Sequence, residues 1–137
     1  GAIMAFRILD NMGASADDIA TIITAIGNHD EGTAVPVNPI TAALILADKT
    51  DVRASRVRNT DIKSFDIHDR VNYAVEKSSL ILNRSARTIS LILSIDTSIC
   101  AVMDYFEIFL TRMMLSKRAA EYLDLSFKLE INGTQFL

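Results

Sequence analysis

The chain reads as an α+β protein, and three observations predict it. Apolar residues recur at helical spacing through the first sixty residues. They then alternate with polar ones at a period of two, in Thr88–Ile95 and again in Ser126–Ile131, and a long helical stripe lies between those two stretches. The 137 residues, half of them hydrophobic, are one domain's worth of material with enough apolar side chains for a sizeable core.

Ile3, Phe6, Ile8 and Leu9 predict a helix over about residues 3–12, and Gly13 is a natural stop just after it. Ser15 offers an N-cap to a second helix, with Asp17 and Asp18 in the first turn, where the helix dipole favours negative charge. Ile19, Ile22, Ile23 and Ile26 form its apolar stripe, which ends at Gly27 and puts His29 at its C-terminal end. Gly32 and Pro36 mark Glu31–Val37 as a loop. Asn38-Pro39 then supplies a cap and a first-turn proline for a third helix. Ala42 to Ala47 is apolar nearly all round, which predicts a central helix closed by Asp48. The chain turns basic through Arg53, Arg56 and Arg58, and a first region ends near residue 62.

The second region, residues 63–137, begins with a bridging segment, Phe65–Val71. Leu80-Ile81-Leu82 and Thr88–Ile95 read as strands on either side of a loop of hairpin length, Asn83–Arg87. A long helix follows over about Ser98–Leu123, with Ile99, Val102, Met103, Phe106, Phe109, Leu110, Met113 and Ala120 on its predicted core face. Phe127, Leu129 and Ile131 mark a returning strand that stops at Asn132-Gly133. The expectation is a helical bundle remnant followed by a small antiparallel sheet, a hairpin plus one returning strand, packed on one long helix.

Composition narrows the function. Fourteen basic against 17 acidic residues give no general attraction to nucleic acid or an anionic membrane, so phosphate binding has to be local. The single Cys100 excludes an internal disulfide and fits a reducing cytoplasm. It reads as a buried thiol, as Met103, Met113 and Met114 read as core filling. No apolar run reaches the roughly 18 to 20 residues that span a bilayer. A Gly-rich phosphate loop, paired zinc cysteines and a Gly-x-Ser-x-Gly elbow are all absent from the sequence.

The chemistry concentrates in Gly27-Asn28-His29-Asp30-Glu31 and in Ala47-Asp48-Lys49-Thr50-Asp51-Val52, with Asp48 nineteen residues after His29. A histidine and an aspartate at the ends of adjacent helices can share a divalent cation, since imidazole nitrogen and carboxylate oxygen suit Mn, Fe, Zn or Mg. The bland alternatives are a helix-end His29 that bonds exposed carbonyls, and an Asp48 that is paired or hydrogen-bonded. Lys49, Arg53 and Arg56 lie near one helical face, as phosphate contacts or as a solvated face. His68, between Asp66 and Asp69, reads as a capping or surface residue.

Taken together with Asp51-Val52-Arg53-Ala54-Ser55-Arg56-Val57-Arg58-Asn59, these motifs resemble the C-terminal part of an HD-domain metal-dependent phosphohydrolase. That family is a helical bundle in which a histidine, a His-Asp pair and a final aspartate bind divalent metal and hydrolyse phosphate esters. Asp48 matches the final aspartate, and His29 the additional histidine of many members. The resemblance implies metal-assisted hydrolysis of a phosphorylated small molecule or nucleotide, with Asp48 as catalytic ligand. It also puts the first histidine and the signature pair before Gly1, so the expectation is a truncated chain, inactive and weak in metal by itself. The other reading is a non-catalytic oligomerisation or regulatory module. A homodimer is expected, from the apolar face of Ile19, Ile22, Ile23 and Ile26 and, secondarily, from open strand edges.

Overall fold

A computed structural model describes residues 1–32 and 34–137, so Thr33 of the predicted loop lies outside the described residues. The fold is α+β, as the sequence predicts, with helices α1 (Ala2–Asn11), α2 (Ala16–Gly27), α3 (Pro39–Lys49), α4 (Ile67–Ala74) and α5 (Val102–Tyr122). Strands β1 (Val75–Asn83), β2 (Thr88–Ile95), β3 (Ser126–Ile131) and β4 (Thr134–Gln135) form one sheet in the order β1-β2-β3-β4.

The predicted helix signals act as expected. The Ser15 hydroxyl accepts from Asp18 N at 3.1 Å, and Asn38 Oδ1 accepts from Thr41 N at 2.8 Å. Gly13 takes a φ of +74° after α1, a left-handed turn that frees Ala14 N to donate to Leu9 O. A fourth helix appears where the sequence suggested only a bridge. Asp66 caps it by accepting from Asp69 N at 2.8 Å, and its eight residues are too few for periodicity to reveal.

The sheet is mixed, which corrects the antiparallel expectation. β1 and β2 form an antiparallel hairpin, but β2 and β3 run parallel from Thr88 opposite Ser126 to Leu93 opposite Ile131. The cause is the length of α5. Its 21 residues span about 31 Å, enough to carry the chain back past the roughly 26 Å of the eight-residue β2, so β3 starts at the same end as β2. Asn132 and Gly133, at φ +51° and +78°, then turn the chain into the short β4.

Strand alternation is as predicted: Ile89, Leu91, Leu93 and Ile95 of β2 and Phe127, Leu129 and Ile131 of β3 are all buried. The face of α5 is as predicted in part: Phe109, Met113 and Ala120 are buried and Val102 and Phe106 pack partly buried against the core, but Tyr105 and Ser116 are buried too while Met103 and Leu110 are exposed, so the helix is rotated from the predicted stripe. Its start also moves to Val102, because Asp96 organises residues 97–100 into a turn by accepting from Ser98 N and Oγ. Cys100 is buried in that turn rather than on the helix, and of the methionines singled out only Met113 is core. α3 is covered on one face alone, through Thr41, Ala42, Ile45, Leu46 and Lys49. That face packs on α5, so one buried cluster runs from the first region into the second.

Candidate functional site

The residues singled out in the sequence gather where α2 and α3 end. His29 directly follows Asn28, the C-cap of α2, and its Nδ1 lies 2.7 Å from Ile26 O. A carbonyl only accepts, so Nδ1 is the donor in this contact and Nε2 points elsewhere. Asp48 is half-buried at the end of α3, and its Oδ2 is 2.6 Å from Lys49 Nζ.

Lys49 is the surprise of this region. Its side chain is 5% exposed, and besides Asp48 it reaches Glu31 Oε1 at 3.7 Å. Arg112 of α5 binds the same Glu31 oxygen through Nε, while its guanidinium lies 5.0 Å from the centre of the Phe109 ring. Two acids and two bases thus link α3, the α2–α3 loop and α5, and their formal charges cancel. The sequence offered no signal for Arg112, which lies more than sixty residues from Asp48 on a helix read only for its apolar stripe.

Burial works to raise the pKa of Asp48. The Lys49 hydrogen bond and the nearby charges of Lys49, His29 and Arg56 outweigh it, and the carboxyl sits below its ordinary value. His29 and Arg56 are therefore close enough to Asp48 for their charge to act on it. Arg53 and Arg56 both turn to Asp51, the first with Nε at 2.8 Å from Oδ1, the second with Nη1 at 3.4 Å from Oδ2 and 3.0 Å from the backbone O. Both stay exposed, whereas Lys49, the other residue of the predicted phosphate set, is buried. His68 is exposed on α4.

The arrangement brings together His29 and Asp48, with Arg56 near. Among the described residues, no three His, Cys, Asp or Glu side chains come together as a group able to hold a metal ion. Comparison with protein-family models, with curated proteins and with solved structures gave no match.

Proposed function

We propose that the joint end of α2 and α3 is part of a phosphohydrolase centre of the HD type, with His29 and Asp48 as ligands of a divalent ion. The substrate class is a phosphorylated small molecule or nucleotide. The observation that carries this reading is the Nδ1 contact of His29 with Ile26 O beside an ionised Asp48. A ligating histidine typically donates its other N–H to a carbonyl, which fixes the tautomer that leaves a nitrogen free for metal. Asp48 keeps 37% of its side chain exposed, so the carboxylate is reachable. A divalent ion bound there would make a hydroxide from water near neutral pH and offset charge on phosphoryl oxygens.

The chain's own residues supply the rest. Asp48 stays ionised through neutral pH, Lys49 orients it, and Arg56 stands near enough to hold a phosphate oxygen. Two protein donors leave most coordination positions to water, so hydrolysis requires further ligands.

Titration of the 137-residue chain with Mn²⁺ should broaden the NMR signals around His29 and Asp48 at weak affinity, and Asp48→Ala should abolish the effect. Broadening that survives Asp48→Ala, or that centres elsewhere, overturns the reading. In a version carrying the upstream ligands, Asp48→Ala should remove hydrolysis while Arg56→Ala mainly raises KM. One observation favours the second reading, a non-catalytic regulatory module. The Lys49 ammonium already pairs Asp48, which gives the acid a purely structural partner.

A further inference from the structure

Strand β1 lies at an edge of the sheet and holds three consecutive aliphatic side chains open to solvent: Leu80 at 42%, Ile81 at 50% and Leu82 at 50%. The register makes this exposure anomalous. Leu80 pairs with Leu91 and Leu82 with Ile89, both buried on the helix-covered face, so the two leucines stand on that same face, one strand beyond what α5 covers. Edges are normally blunted by charge, proline or bulges. Here the bulge between Val75 and Lys77 and the charge of Lys77 guard the start of β1, while Ser78–Asn83 carries no such device. The opposite edge is different, because β4 offers only two residues.

We propose that this edge docks a second copy of the chain, β1 against β1 in antiparallel pairing about a two-fold axis at Leu80. The two four-stranded sheets then continue as one. An antiparallel pair of identical strands keeps matching faces together, so Leu80 and Leu82 of both copies fall on the helix-covered side and merge with Leu91 into one apolar strip. Leu80 is also the midpoint of the unbulged stretch Lys77–Asn83. Charge is compatible with the same register, which sets Lys77 opposite the neutral Asn83 and brings Glu76, in the bulge, to the same end of the pairing as Arg84 of the other copy, in the turn after β1. Among the described residues Arg84 has no ion-pair partner, and Glu76 accepts only from the Ser94 hydroxyl at 3.3 Å. A one-residue slip would turn the leucines to the wrong face, and a two-residue slip towards Ser79 would set Leu82 against Glu76. An unrelated strand would gain the backbone hydrogen bonds but not this charge match.

Sedimentation equilibrium on the full chain tests the proposal, independently of the metal reading. A monomer–dimer equilibrium is expected in the micromolar range. Leu80→Lys, which sets two lysines against each other on the axis, should leave monomer with an unchanged circular dichroism spectrum. Glu76→Arg and Arg84→Glu should each weaken the dimer about tenfold, and the double swap should restore it. A wild-type chain that stays monomeric overturns the proposal. So does a dimer that ignores Leu80→Lys but is lost on Ile8→Glu in the exposed face of α1, and so does a double swap that fails to rescue.

Discussion

Asn132 shows how much one residue can carry. Its side chain accepts from Ile95 N at 2.8 Å and donates to Ile95 O at 2.9 Å, so it stands in for a strand partner at the end of β2 while its own backbone holds φ at +51°. Asn132→Ala leaves both groups of Ile95 without that partner and puts a β-carbon without local hydrogen bonding in left-handed backbone. The expected loss is about 2–3 kcal/mol, read from the urea midpoint. Asn132→Gly relieves the backbone term alone, so it should fall between the two. The turn was legible in the Asn-Gly dipeptide, but the Ile95 clamp was not, because it joins residues far apart in sequence that only the β2–β3 pairing makes neighbours.

At the same scale, the candidate site was legible in part. His29 and Asp48 could be placed at helix ends from the stripes that precede them, and the structure puts them there. The burial of Lys49, read as a phosphate contact or part of a solvated face, was not legible, since the apolar run was taken to end at Asp48 when the buried face continues one residue further, through Ile45 and Leu46 to Lys49. Lys49→Met keeps the stem and removes the charge. Because Asp48 and Glu31 are both about one-third exposed, the expected loss is about 1–2 kcal/mol rather than the larger loss of a fully buried pair. The pH dependence gives a second reading. The depressed pKa of Asp48 means that its contribution is present at neutral pH and fades as pH falls through the acid range to the folded-state value. In Lys49→Met this acid-side decline should be shallower, and equal slopes would show that Lys49 does not govern Asp48.

Among the elements, those with caps or strict alternation were readable and those set by partners were not. α2 and α3 begin where Ser15 and Asn38 say they should, and β2 and β3 bury the alternating positions. The rotation of α5 was hidden because its sequence is apolar on more than one side. Met103 and Leu110 looked as good for burial as Tyr105, and packing against β3 and α3 made the choice. Tyr105 is buried with its hydroxyl on Met113 Sδ at 3.2 Å, and burial pushes its pKa well above the ordinary tyrosine value. The parallel pairing was equally hidden, because alternation in β3 says which side faces the core and nothing about direction.

Over the whole molecule, the division near residue 62 proposed from periodicity crosses a continuous core. Ala42, Ile45 and Leu46 of α3 belong to the same buried cluster as Phe109, Met113 and Leu129. The expected outcome is one cooperative thermal transition for these parts, with near-UV and far-UV dichroism coinciding. Two separated transitions would show that the halves fold as independent units. α1 packs on α2 but contributes no buried residue, and Ile3, Met4, Ile8 and Met12 are largely in solvent. No helix among the described residues is long and apolar enough to cross a membrane.

The parallel contact between β2 and β3 also has a consequence in time. The β1–β2 hairpin joins neighbours across a short loop and can close within microseconds of both strands being free. The other edge of β2 must wait for a partner more than thirty residues downstream, delivered only after α5 has wound. During synthesis, Leu91 and Leu93 therefore have β1 on one side and nothing on the other until Ser126–Ile131 leaves the ribosome, and this interval is when the nascent chain is most open to pairing with a neighbour.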